Sequence, residues 1–205
     1  MQYIRLKEAL KSFTVFSVDD IKKVDANFYR RRLNEWQAKG YIKKIVKGHY
    51  VFSDLQINEN VLFEIANKIY RPSYVSFEAA LSYYNLIPEI VYGVTSVSTR
   101  RTYNFKAPAA GFSYRTLKPK LFFGYDLVGY NGHNFKMASA EKALLDYLYI
   151  NNNLKNKNDF SAMRVNKDNF LKRVDEKIVR KMLKRFSKKA LTNRVNLFLE
   201  FMENA

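Results

Sequence analysis

The sequence predicts an α+β protein in three parts: a small unit of helices and one hairpin over residues 1–54, a mixed α/β domain with an antiparallel sheet over 55–150, and a basic helical C-terminal extension over 151–205 packed on that second domain. Three observations predict this division. An amphipathic stretch ending at Gly40 runs straight into two β-rich runs around Lys47-Gly48. Residues 90–137 change to runs of β-branched and aromatic residues separated by turn residues. Residues 170–202 return to helical periodicity and carry much of the basic charge.

Residues 3–11 suit a first helix, with Ile4, Leu6 and Leu10 for burial. Phe13, Val15 and Phe16 continue the apolar signal, and Ser17 is an N-cap for a short helix over 18–24. Asp25 is the expected N-cap of the next helix and Gly40 its C′ residue. Tyr29, Leu33 and Trp36 recur at i, i+4 and i+7, which makes one apolar stripe. The opposite face holds Asn27, Arg31 and Asn34, with Arg30 at its edge. Arginine pairs bidentately with guanine and asparagine with adenine, so such a face suits a DNA major groove. The hairpin that follows carries Lys43 and Lys44 on its first strand and Lys47 at its tip, placed for phosphates. Helix, short helix, longer helix and basic wing make a winged helix-turn-helix pattern. An amphipathic helix with an ordinary solvated face, packed on a hairpin, is the plainer alternative.

Polar residues 54–60 mark the boundary to the second part. Residues 61–70 place Leu62, Ile65, Ala66 and Ile69 on one helical side and stop at Arg71-Pro72. Ser76 is the expected N-cap of a helix with Phe77, Ala80, Leu81 and Tyr84 in a stripe, and a packed, capped helix is preferred over a catalytic role for Ser76 or Glu78. Strands are expected over 91–98, 102–106, 112–117, 121–125 and 134–137, with Asn131-Gly132 as a hairpin turn, giving four or five antiparallel strands. Ser139 caps a helix over 140–150 whose Leu144, Leu145 and Leu148 cover that sheet. An asparagine-rich linker, 151–159, leads to two or three helices. There Leu171, Val174, Ile178, Met182 and Phe186 fall near one face, and Val195, Leu197, Phe198 and Phe201 supply the last helix.

Composition narrows the function. Thirty-six Lys and Arg against 19 Asp and Glu give a formal charge of +17, which favours polyanionic partners, nucleic acid first. The excess sits at the two ends: 12 basic and 6 acidic side chains in residues 1–54, 10 and 7 in 55–150, and 14 and 6 in 151–205. With no cysteine there is neither a disulfide framework nor a thiolate metal site, and the two histidines, His49 and His133, have no local ligand spacing. The polar start and the lack of a long apolar run predict a cytoplasmic protein without a membrane partner. Nucleotide-binding and hydrolase motifs are missing, so no cofactor, no metal and no catalytic residues are expected. Glu78, Glu89, Asp126, Glu141 and Asp146 are read as capping or surface-paired carboxylates. Arg100 and Arg101, expected on a strand, are either an anion or partner surface or edge charges that discourage aggregation.

The winged-helix pattern followed by FEAALSYYNLIPE, TSVSTRRTYNF, YRTLKPKLFFGY and ASAEKALLDYLY resembles the AbiEi antitoxin family of type IV toxin-antitoxin systems, from the N-terminal unit to about residue 150. The resemblance implies a bacterial transcriptional autorepressor that binds operator repeats in double-stranded DNA; because a single winged helix buries a modest surface, two copies on paired repeats are expected. It also implies an antitoxin that opposes a nucleotidyltransferase-like toxin functionally rather than through a tight complex. Carried over by position, DNA binding falls on Asn27, Arg30, Arg31, Asn34, Lys43, Lys44 and Lys47. Two other classes stay open: a metal-dependent nuclease-like enzyme built on the carboxylates, and a basic interaction protein that holds RNA or an acidic partner.

Overall fold

A computed structural model describes residues 1–88 and 93–204. In chain order the N-terminal part contains α1 (Tyr3–Ala9), β1 (Phe16–Ser17), α2 (Val18–Val24), α3 (Arg32–Ala38), β2 (Ile42–Val46) and β3 (His49–Phe52). Ser17 begins α2 with a reciprocal capping box: its hydroxyl accepts from the Asp20 amide while the Asp20 carboxylate accepts from the Ser17 amide. The three strands form one small antiparallel sheet in the order β1-β3-β2.

Both faces of this small sheet are covered. Ile42, Tyr50 and Phe52 join Leu6, Leu10, Phe16, Ile21, Leu33 and Trp36 in a core of the N-terminal part's own. Val15, Ile45, Val46 and Val51 instead join the larger core formed by the rest of the chain. Alternation along β3 produces the split, because successive residues of a strand point to opposite faces. A register shift between Lys44 and Val46 lets the neighbouring Ile45 and Val46 both reach the larger core.

The larger part follows with α4 (Glu59–Ile69), β4 (Ser73–Val75), α5 (Phe77–Tyr83), β5 (Gly93–Ser98), β6 (Tyr103–Lys106), β7 (Gly111–Thr116), β8 (Tyr125–Tyr130), β9 (His133–Ala138) and α6 (Ala140–Ile150). Four more helices close it: α7 (Lys157–Ala162), α8 (Lys167–Arg173), α9 (Glu176–Phe186) and α10 (Lys189–Asn204). Their buried residues, among them Phe160, Phe170, Val179, Leu183, Leu191 and Phe198, share the larger core, so the helical tail is packed rather than free.

The sheet is mixed, not antiparallel, with strand order β6-β7-β5-β4-β9-β8. β5 pairs parallel with β7, and β4 meets β9 in parallel at Val75 and Met137. The unexpected strand is β4. It is three residues long and all three are buried, so it shows neither length nor alternation to betray it. The strand expected over 121–125 is instead a 3-10 turn, Pro119–Leu121, and an irregular link to β8. Gly124 lies in the left-handed region there, and a Cβ on it would come within 3.1 Å of the Lys142 side chain. Residues 91 and 92 of the expected first strand lie outside the described residues.

Several expected faces are corrected. Ile4 and Tyr29 are exposed, and Phe28 takes the core position beside Trp36, ring centroids 5.6 Å apart. Leu171, Ile178 and Leu197 are also exposed. The first two were phased on one continuous helix, whereas Val174 closes α8 and Asp175 caps α9. The phase resets at that break, so Val179 and Leu183 face inward in place of Ile178, while Phe186 is buried as expected. The asparagine-rich linker is partly helical, because Asn156 and Asp159 form a capping box that opens α7.

Ser76 does not cap α5 with its side chain. Thr95 of β5 supplies that function, accepting from the Ala79 amide at 3.0 Å and donating to the Ser76 carbonyl at 2.7 Å. The Ser76 hydroxyl turns to Asp146 instead, 2.9 Å away. Asp146 is fully buried, not surface-paired. It accepts from Lys142 Nζ, which is also fully buried, and from the Tyr74 hydroxyl at 3.0 Å. Lys142 Nζ donates to Tyr74 Oη at 2.9 Å and lies 5.0 to 5.4 Å from the ring centres of Tyr74, Phe123 and Phe186. Burial pushes the Lys142 ammonium down and the Asp146 carboxyl up, and each partner's charge opposes the other's shift.

Removing one member leaves the other buried without a counter-charge, which costs more than the pair itself is worth. Asp146→Ala should therefore lower stability by about 3–5 kcal/mol, whereas the joint change Lys142→Met, Asp146→Leu should recover most of that loss. Urea unfolding of the three proteins measures this.

Candidate nucleic-acid interface and the joint behind it

The segment between α2 and α3 is pinned at both ends. Asp25 closes α2, accepts from the Asn27 amide at 3.2 Å and pairs with the N-terminal amine at 3.2 Å. Its carboxylate is thereby used in an Asx turn, not at the start of a helix as expected. Phe28 is buried three residues later, and α3 begins only at Arg32, whose guanidinium donates to the Met1 carbonyl.

The shortened helix redistributes the expected DNA-binding residues. Asn27 lies in the turn, off the helix, and Arg30 and Arg31 precede its first residue. Arg31 has helical dihedrals and its carbonyl accepts from the Asn34 amide, so Arg31 and Asn34 stand one turn apart. Glu35 is exposed beside them. Arg30 instead lines a cleft of about 560 Å³ with Lys68 and Arg71 of the larger part.

On the hairpin, Lys44 pairs with Tyr50 in register and Lys43 with Val51. Lys44 therefore shares the face of α3, and Lys43 points to the opposite face. Both remain exposed because β2 is an edge strand, and Lys47 is exposed in the turn. Among the described residues, none of the seven side chains at 27, 30, 31, 34, 43, 44 and 47 forms a hydrogen bond or ion pair. They are free to meet a ligand. His49, the first residue of β3 beside the turn, is half-buried, and that burial lowers its pKa below the ordinary imidazole value.

Arg100 and Arg101 lie in the bend after β5, not on a strand. Arg100 sits 4.6 Å from the Tyr70 ring centre and Arg101 6.0 Å from that of Tyr103. The Arg101 carbonyl accepts from the Tyr70 hydroxyl at 2.8 Å. Both side chains are exposed.

The carboxylates do not converge. Asp126 is exposed on β8, Glu141 accepts from Ser139 Oγ at 2.8 Å and the Asp175 amide at 3.2 Å, and Asp146 belongs to the buried cluster. Glu89 lies outside the described residues. Among the described residues, no three His, Asp or Glu side chains are grouped to hold a metal ion.

The most connected polar residue at the joint between the two parts is Glu64 of α4, almost wholly buried. It accepts from the hydroxyls of Thr14 and Tyr130, pairs with Lys68 Nζ at 2.7 Å, and lies 3.5 Å from His133 Nδ1. Thr14 Oγ1 is itself 3.2 Å from that nitrogen. One carboxylate thus ties the N-terminal part to α4 and to the β8–β9 hairpin. Sequence reading missed it, because a single glutamate on an amphipathic helix looks solvated; its position between Phe63 and Ile65 was the available signal.

No protein-family model matches the chain, and no curated protein is significantly similar to it. No helix among the described residues is long and apolar enough to cross a membrane.

Burial raises the Glu64 pKa, but the bonds from Lys68, Thr14 and Tyr130 outweigh it and hold the carboxyl below its ordinary value. A depressed folded pKa stabilises the fold above the unfolded value, about 4.3, and that contribution is lost as pH falls through the folded value. Urea unfolding between pH 7 and 3 should show this loss, and Glu64→Gln should flatten the acid limb while lowering stability at pH 7.

Proposed function

We propose that this chain is a sequence-specific DNA-binding repressor that works through an N-terminal winged helix-turn-helix and without a catalytic step. The observation that carries the reading is an N-terminal unit with its own core, three helices and a β1-β3-β2 sheet, presenting uncommitted basic and amide side chains on α3 and the hairpin. In this reading α2 positions α3, Arg31 and Asn34 reach base edges, and Lys44 and Lys47 hold the phosphate backbone. Arg30, Asn27 and Lys43 lie off that face and serve as flanking phosphate contacts. Two copies on paired repeats of double-stranded DNA supply the surface one module lacks. The resemblance in the larger part extends the proposal to a cytoplasmic antitoxin of a type IV system that opposes a nucleotidyltransferase-like toxin without a tight complex.

A binding titration against DNA upstream of the gene, with scrambled competitor at two salt concentrations, tests the reading. Protection of paired repeats that survives competitor is the expected result. Binding that ignores sequence and vanishes at moderate salt would sink it in favour of a basic interaction protein. Arg31→Ala should cost about 1–3 kcal/mol and relax base preference. Lys47→Ala should weaken all sequences alike and reduce the salt slope by about one.

A further inference from the structure

The six-stranded sheet ends at β8, which pairs only with β9 among the described residues. The hairpin between them turns on Asn131 and Gly132, both at positive φ (45° and 78°), as a two-residue type I′ turn requires. In such a hairpin the closing pair, Tyr130 and His133, exchanges both its backbone hydrogen bonds, and so does every second pair along the ladder. Tyr130, Val128 and Asp126 therefore bond inward to β9. The N–H and C=O groups of Tyr125, Leu127 and Gly129 point out of the sheet, and among the described residues no backbone partner meets them.

Open edges are normally guarded against pairing with another chain by lysines, bulges, proline or shortness. The other three edges show such guards. β2 carries Lys43 and Lys44, with Lys47 in its turn, and has a register shift; β1 is two residues long; β6 holds Lys106 and follows Arg100 and Arg101. β8 has none of these. It is six residues long, runs in unbroken register with β9, and contains no proline and no cation. At its centre Leu127 is 65% exposed. From residue 121 to residue 139 the only charged side chains are Asp126 and Lys136, so in a chain of net charge +17 this edge is locally neutral.

The edge also complements itself. Turned about a two-fold axis perpendicular to the sheet at Leu127, a second β8 lies antiparallel and offers the same outward groups, those of Tyr125, Leu127 and Gly129. Leu127 then meets Leu127 of the second copy, Tyr125 lies across from Gly129, and Asp126 across from Val128. No like charges are opposed. We propose that β8 is a homodimer interface, at which two copies of this chain join their six-stranded sheets edge to edge as one continuous sheet. A strand pair by itself buries less than the roughly 1,600 Å² of a standard interface, so the dimer is reversible. The pairing needs no DNA and stands whether or not the N-terminal unit reads it.

Sedimentation equilibrium of the full chain without DNA, from about 1 µM to 1 mM protein, where a reversible interface dissociates, tests this. Monomer and dimer should exchange with concentration. Leu127→Lys opposes two cations at the axis, and Gly129→Pro removes an outward N–H that the hairpin does not use. Each should weaken the dimer about tenfold or more, whereas Ile4→Lys, at a still more exposed apolar position on α1, should leave it unchanged. The chain has no cysteine, so single cysteines report the register. In Leu127→Cys the two Cα atoms stand about 5.5 Å apart across the axis, within disulfide range, and oxidation should give a covalent dimer. In Asp126→Cys they stand about 8 Å apart and should stay unlinked. A chain that is monomeric throughout, a dimer indifferent to Leu127→Lys, or assembly past the dimer would each overturn the proposal. Urea unfolding of Leu127→Lys and Gly129→Pro separates a lost contact from a lost fold, and the cysteine pair decides the matter should either variant fail to fold.

Discussion

Two full charges, Lys142 and Asp146, lie at the centre of the larger part with no exposure to solvent, and the elements around them are arranged to satisfy them. Asp146 gathers hydrogen bonds from α6, from Tyr74 on β4 and from Ser76 at the mouth of α5. Three aromatic rings enclose the ammonium, one from the link before β8 and one from α9. A pair of this kind adds little net stability, since desolvation consumes most of its attraction. Its effect is on geometry. The short strand β4, the entry to α5 and the packing of α9 over α6 are all positioned by groups that the buried charges require. Even the left-handed Gly124 belongs to this constraint, because a side chain there would press on the stem of Lys142.

The second organising contact is the joint around Glu64. The small sheet gives one face to each of two cores, and the polar link from Thr14 to Glu64 sits at its edge. The N-terminal unit is therefore docked on a surface that includes charged and hydroxyl groups, not on apolar side chains alone. Cations from both sides, Arg30, Lys68 and Arg71, line the cleft beside that contact.

How far the sequence could be read depended on the range of the interaction. The Ser17 cap, the Ser139 cap, the Lys47-Gly48 turn and the Asn131-Gly132 turn are local hydrogen bonds and backbone preferences, and each was legible as written, though the return bond from Asp20 that completes a capping box at Ser17 was not. Errors arose where a distant partner took over a local signal. Asp25 reads as a helix cap until the N-terminal amine claims it. Ser76 reads as a cap until Asp146 draws its hydroxyl away and Thr95 replaces it. Of the DNA-binding candidates, Arg31 and Asn34 remain within one turn, whereas the late start of α3 separates them from Asn27, and strand alternation separates Lys43 from Lys44.

By itself the sequence determined that this is a mixed α and β chain, where most helices and hairpins fall, and that its charge is strongly positive and concentrated at its ends. Periodicity, caps and turn residues encode those features within a few residues of chain. Only the tertiary structure decided that the sheet is mixed, that β4 runs through its interior, that β8 lies at its edge, and that Lys142 and Asp146 are buried. Those outcomes depend on residues far apart in sequence meeting in space. Their energy lies in desolvation and in pairing across elements, which no local pattern records.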